Sequence, residues 1–167
     1  VIIRGGLVYD GTGKPGVLTD VGINGDSVAF IGDLATAIAT RKEINAQGLA
    51  VAPGFINMMS HAEVTLLMDG KSQSDIRQGI TLEVLGESSM GPLNERMKND
   101  WKDQMKRNPD WQFDIDWTSL GEYLESLQRR GISPNVASFV GANTVRVHEL
   151  GYDNRAPNPE ELERMKA

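Results

Sequence analysis

The first fifty residues alternate short apolar runs with turn residues. Val1-Ile2-Ile3, Leu7-Val8-Tyr9, Val21-Gly22-Ile23 and Val28-Ala29-Phe30-Ile31 each have the length and composition of a β-strand. Between them lie the turn clusters Asp10-Gly11-Thr12-Gly13 and Asn24-Gly25-Asp26. Asn-Gly between two apolar runs predicts a tight hairpin, because both residues tolerate positive φ. Gly32-Asp33 leads into a weakly helical stretch at 34–39. Glu43-Ile44-Asn45-Ala46 forms another short strand before a turn at Gln47-Gly48. Residues 1–50 therefore predict part of a small β-sandwich.

The pattern changes at Leu49. Residues 49–58 are mostly apolar without alternation, which predicts a strand buried on both faces of a parallel sheet. Residues 63–78 predict a helix that ends at Gly79, and residues 80–85 predict the next strand. Residues 90–113 are polar and carry or precede Trp101, Trp111 and Trp117. They read as a long excursion with a helix at about 93–107, pinned to the body by the tryptophans. Asp116 or Thr118 is the candidate cap for a helix over 119–130 that stops at Gly131. Residues 135–140 predict a third buried strand, and a charged helix starts at Pro159 with acids in its first turn. The order is a βα series. Three such units cannot close a barrel, which takes eight strands and about 250 residues. A complete small domain with an open sheet is the alternative, but the stop at Ala167 inside a helical pattern points to part of something longer.

Composition narrows the function classes. The chain has 167 residues, a net charge of −6 and a pI near 4.9, so it offers no basic field for nucleic acid or an anionic membrane. Cysteine is absent, which removes disulfides and thiolate ligands and leaves the compartment open, cytoplasmic or exported. No run approaches the ~18 apolar residues of a membrane helix, and no signal peptide is visible. The start at Val1 instead of Met suggests that an upstream segment is missing.

Candidate chemistry follows the strands, since the C-terminal ends of parallel barrel strands converge on one mouth. Alternate residues of a strand point the same way, so Met59 and His61 occupy positions where two histidines would share an ion. Methionine does not replace imidazole on zinc. A lone His61 is either a metal ligand or a polar residue bonded to its neighbours. After the second strand, Glu87 is a candidate ligand or base, with Ser88 and Ser89 as candidate substrate contacts. The competing reading is a glycine-flanked loop with a solvated glutamate. After the third, Asn143 and Arg146 are candidates for a substrate carboxylate, which a guanidinium matches bidentately. A surface arginine beside a turn asparagine is the plainer alternative. His148 reads as structural or exposed, and Asp69, Asp75 and Arg77 as a solvated helix face. Phosphate-loop, Gly-x-Ser-x-Gly and paired-cysteine motifs are absent.

Taken in order, Ile3-Arg4-Gly5-Gly6-Leu7-Val8-Tyr9-Asp10-Gly11-Thr12-Gly13, Ala52-Pro53-Gly54-Phe55-Ile56-Asn57, Gln78-Gly79-Ile80-Thr81, Leu85-Gly86-Glu87 and the stretch from Val140-Gly141 to Arg146 resemble the amidohydrolase superfamily. More narrowly, they resemble the N-acyl-D-amino-acid deacylase branch. The resemblance runs from residue 1 to about 146. It implies an α/β fold in which a small β-sandwich precedes a metallo-dependent (β/α)8 TIM barrel, with 1–50 as the sandwich portion and 51–167 as the first βα units. It also implies hydrolysis of an N-acyl-D-amino acid by a metal-activated water. Two positions depart from the pattern. The family's His-x-His is Met59-Ser60-His61, and its cysteine ligand falls near Glu87-Ser88. The resemblance thus implies one zinc ion, with His61 and Glu87 as candidate ligands. The remaining histidines and the proton-shuttle aspartate would lie beyond Ala167, on the remainder of the protein or another chain. A fold that has lost its metal and serves as a binding or scaffold protein is the alternative. A hydantoinase- or dihydroorotase-like reading would want an intact His-x-His.

Overall fold

The structure, a computed structural model, describes residues 1–34 and 42–167, so all but the first residue of the predicted weak helix at 34–39 lies outside the described residues. The chain divides into two compact units, Val1–Pro53 and Gly54–Ala167.

The first unit is one sheet. Strands β1 (Ile2–Val8), β2 (Val17–Asn24), β3 (Ser27–Gly32) and β4 (Glu43–Asn45) lie in the order β3-β2-β1-β4, and β5 (Ala50–Val51) also pairs with β1. The predicted hairpin is present, with its two-residue loop at Gly25-Asp26, one position later than Asn-Gly, and Gly25 at φ +63°. Ile2, Val8, Val21 and Ala46 are buried in this unit. The β1–β2 register shifts between Ile3 and Gly6. Asp20 stabilises that irregularity by accepting the Gly5 N–H at 2.8 Å and the Arg4 guanidinium at 2.9 Å. Those two donors hold the Asp20 carboxyl below its ordinary range. The described residues supply a single layer. The second layer of the predicted sandwich is not among them, and Val17, Leu18 and Val28 are exposed.

The second unit holds three parallel strands in the order β6-β7-β8: β6 (Phe55–Asn57), β7 (Ile80–Leu85) and β8 (Asn135–Ser138). The predicted single strand over 49–58 is not formed. Proline has no N–H for a ladder, and the chain changes sheets at Pro53-Gly54, with β5 pairing β1 and β6 pairing β7. Strand β6 is at the sheet edge, so Phe55 and Ile56 are exposed, contrary to the burial the sequence predicts.

The predicted helix over 63–78 is also corrected. It is two single turns, α1 (Thr65–Met68) and α2 (Gln73–Ile76). The Gly70 carbonyl accepts the Ser133 N–H at 2.7 Å, and Ser72 is left-handed at φ 42°, so tertiary contacts interrupt the helix. The excursion carries α3 (Glu95–Arg107), close to expectation. It is less solvated than its composition suggests, because Met90, Leu93, Met97 and Phe113 join the core. Trp101 contacts Trp111 and Phe113, and Trp117 contacts Tyr123 at 5.3 Å between ring centroids, so the tryptophans do pin the excursion. Trp117 is 1% exposed and donates its indole N–H to the Met90 carbonyl at 2.7 Å.

Helix α4 (Leu120–Arg130) stops at Gly131 as predicted, but its cap is Ser119. Ser119 and Glu122 form a reciprocal capping box, which Asp116 and Thr118 are too far upstream to make. Helices α5 (Ala142–Leu150) and α6 (Pro159–Lys166) follow β8, α6 with Asn158 as its cap. Among the described residues no helix is long and apolar enough to cross a membrane.

Candidate metal centre

His61 and Glu87 meet at the tips of β6 and β7, with imidazole Nε2 3.3 Å from carboxylate Oε2. Both side chains are about two-thirds exposed, at 66% and 63%, so the pair faces solvent. Parallel pairing brings them together. Asn57 is in register with Glu83, and the Ser60 N–H extends the ladder by donating to the Val84 carbonyl at 3.0 Å. Both tips therefore emerge at the same end of the sheet, as the βα order requires.

The backbone beside each member is fixed from below. Ser60, which precedes His61, donates its hydroxyl to Glu83 Oε2 at 2.7 Å and accepts the Ala62 N–H at 3.3 Å. Glu83 is fully buried, and its other oxygen accepts the Ser72 hydroxyl at 2.9 Å. Glu63, also buried, accepts the N–H of Gly86, the residue before Glu87, at 3.3 Å. Tyr123 closes this layer by donating its hydroxyl to the Glu63 carbonyl at 2.9 Å. Burial, followed by the Glu63 and Glu83 carboxylates, pushes the Tyr123 phenol well above its ordinary range, so it stays a neutral donor.

The predicted substrate contacts divide. Ser88 and Asn143 are exposed, and both line a small cavity of 160 Å³ with Asp100 and Trp101. Ser89 is buried and committed elsewhere, which corrects its expected role. Its hydroxyl donates to the Gly91 carbonyl at 2.6 Å and accepts the Gly141 N–H at 3.0 Å, so its one proton is already used and its remaining lone pair is buried. Arg146 is likewise engaged, donating to the carbonyls of Asp153 and Arg155 at 2.9 and 2.7 Å. It braces the loop before α6. His148 is half-buried, its Nδ1 lying 3.2 Å from Glu149 Oε1 of the next residue. Among the described residues, the side chains of Asp69, Asp75 and Arg77 bond to near neighbours in sequence.

Glu63 and Glu83 were missed by the sequence reading. A glutamate inside an otherwise apolar strand was the available signal at 83, because such a charge is rarely buried without partners.

The donor set is compatible with a zinc ion. Imidazole nitrogen and carboxylate oxygen both bind zinc at about 2.0–2.2 Å, which makes a tetrahedral N···O edge of about 3.3–3.4 Å. The observed 3.3 Å matches that edge. The pair supplies two donors where zinc takes three or four from a protein. Among the described residues no third His, Cys, Asp or Glu completes a cluster. Met59, at the position before Ser60, is 70% exposed and adds no hard donor.

No protein-family model matches the chain. D-aminoacylase of Alcaligenes xylosoxydans xylosoxydans is 32% identical over 99% of this chain, and the match covers 34% of the enzyme. The similarity to D-aminoacylase thus extends along almost all of this chain. N-acyl-D-glutamate deacylase from the same organism is 31% identical over the whole chain and is likewise covered to 34%. A D-aminoacylase structure with a binuclear metal centre superposes with a TM-score of 0.82 at 33% identity, with 99% of this chain and 34% of that one covered. N-acyl-D-glutamate deacylase of Bordetella bronchiseptica, complexed with zinc and a phosphonate inhibitor, superposes with a TM-score of 0.80 at 26% identity and the same coverage. The mixed α/β structure thus matches part of the deacylase fold, and the chain spans about a third of the length of these amidohydrolases.

Proposed function

We propose that this chain carries one corner of a metal-dependent amidohydrolase site that cleaves the amide C–N bond of an N-acyl-D-amino acid. The 3.3 Å approach of His61 Nε2 to Glu87 Oε2 at adjacent strand tips carries the reading, supported by similarity to deacylases along the whole chain. The three parallel strands are the first of a (β/α)8 barrel, and the single sheet of Val1–Pro53 is one layer of a sandwich. Further ligands and the proton-shuttling carboxylate come from the rest of the protein or another chain.

In this reading His61 and Glu87 hold one zinc ion. Bound there, zinc would polarise the scissile carbonyl and supply a water of pKa near ~7. The chain's own part is to bind and to orient. His61 and Glu87 present N and O donors at adjacent strand tips, and Ser88 and Asn143 offer exposed hydrogen-bonding groups for the substrate's amide or carboxylate. Glu87 takes the place of a softer thiolate, which shifts the site towards harder oxygen coordination.

The test is hydrolysis of N-acetyl-D-methionine and N-acetyl-D-glutamate by the intact protein, with zinc content measured alongside. His61→Ala is expected to lose both zinc and activity. Undiminished activity in that variant removes His61 from the site. A second reading, a deacylase fold without metal that serves as a binding protein, is favoured by Met59 and by the two-donor set. It predicts zinc-free protein that retains its fold.

A further inference from the structure

We propose that Glu83 and Glu63 are positioning residues that lock His61 against Glu87 through a reciprocal clasp across β6 and β7. The proposal rests on the reading of His61 and Glu87 as the paired donors of the site.

The geometry is crosswise. The β7 carboxylate, Glu83, grips Ser60, the residue before His61, at 2.7 Å. The carboxylate from the β6 side, Glu63, grips the N–H of Gly86, the residue before Glu87, at 3.3 Å. Each donor is thus preceded by a residue held from the opposite segment. Ser60 is fixed three ways, through its N–H to Val84, its hydroxyl to Glu83 and its Oγ lone pair to the Ala62 N–H. His61 therefore sits on a peptide segment tethered on both sides. Its side chain is 66% exposed, so neighbours cover only about a third of it.

Stability gives little reason for a carboxylate at 83. The side chain is 0% exposed, and among the described residues its partners are two serine hydroxyls and no cation. Burying an ionised carboxylate without a cation is costly, and apolar replacements of buried charges are often neutral or stabilising. A carboxylate does offer two acceptors at fixed separation. One takes Ser60 and the other takes Ser72, whose left-handed backbone presents its hydroxyl to Glu83. Groups bonded directly to a ligand change metal affinity by about 10–100-fold when lost, and Glu83 acts one residue further out, through Ser60.

The test uses the full chain and two readouts, one of them free of metal. The first is the NOE between the His61 ring protons and the Glu87 γ-protons, measured without metal alongside thermal unfolding. The second is the zinc dissociation constant. Glu83→Gln turns one acceptor into a donor, and Ser60→Ala removes the tether. Both are expected to lose the NOE and to bind zinc about tenfold more weakly. Ser60→Thr keeps the hydroxyl and is expected to keep the NOE. Glu161→Gln destabilises the same unit at α6, where its partners are Arg155 and Asn158 and not the clasp, and must leave the NOE intact, which separates positioning from mere stability. An unchanged NOE in both Glu83→Gln and Ser60→Ala overturns the clasp. Wild-type protein that shows the NOE but binds no zinc overturns the metal reading and leaves the clasp standing.

Discussion

Replacing Gly86 by alanine probes the junction on which the site stands. Gly86 has φ +115°, a region closed to most L-residues. A Cβ there would lie 2.2 Å from the Phe139 carbonyl oxygen and 2.6 Å from its nitrogen. Both obstacles are backbone, and the Phe139 N–H is held at 2.9 Å by the Leu85 carbonyl, so the neighbour cannot retreat without opening the β7–β8 ladder. The left-handed conformation alone costs about 1–3 kcal/mol, and a lost ladder bond adds about 1 kcal/mol. A total near 3 kcal/mol corresponds to a fall in Tm of roughly 10–20 °C for a unit of this size. Thermal and urea unfolding by circular dichroism measure it. Gly121→Ala is the control. Its Cβ would meet only the Ser119 hydroxyl at 3.9 Å, so within α4 it is expected to stabilise by about 0.5–1 kcal/mol. A Gly86→Ala protein that melts within a few degrees of wild type would refute the packing described at the strand tips.

Other outcomes follow from the same contacts. Trp117→Phe leaves the buried Met90 carbonyl without its donor and is expected to cost about 1–3 kcal/mol, read as a lower urea midpoint with an unchanged slope. Ser119→Ala removes the capping box of α4 and should cost about 1 kcal/mol by the same assay. The Arg155 guanidinium, then the Asn158 N–H, holds the Glu161 carboxyl down to about 2 from an ordinary 4.5. A carboxyl depressed in the folded state stabilises fully above its unfolded value and loses that contribution as pH falls through the folded one. The stability gap between wild type and Glu161→Gln should therefore be constant above pH ~4.5 and shrink towards pH ~2. A gap unchanged at pH 2.5 contradicts the pairing.

Local rules recovered much of this architecture. Strands β2, β3 and β7, the stop at Gly131 and the start of α6 follow from short apolar runs, a helix-terminal glycine and a proline followed by acids, whereas the runs at 1–3 and 7–9, expected as separate strands, join in the single strand β1. The misplacements occur where partners distant in sequence decide the outcome. Residues 49–58 look continuous, but the two halves pair with different sheets. Residues 63–78 have helical spacing, but Ser133 claims the Gly70 carbonyl and Glu83 claims the Ser72 hydroxyl. At the site, His61 and Glu87 stand out because polar residues at strand tips converge in a parallel sheet. Ser89 and Arg146 carry the right chemistry, but loop carbonyls and a nearby N–H already occupy them. Glu63 and Glu83 lacked a visible motif, since their roles depend on hydroxyl and amide groups brought close by folding.

The most direct test of the paired-donor account is X-ray absorption at the zinc K edge of the zinc-loaded protein, compared with its His61→Ala and Glu87→Ala variants. The account predicts an imidazole scatterer near ~2.0 Å that disappears in His61→Ala, and a light-atom shell that changes in Glu87→Ala. Spectra and zinc content identical in all three proteins would show that any bound ion lies elsewhere and would contradict the assignment of His61 and Glu87.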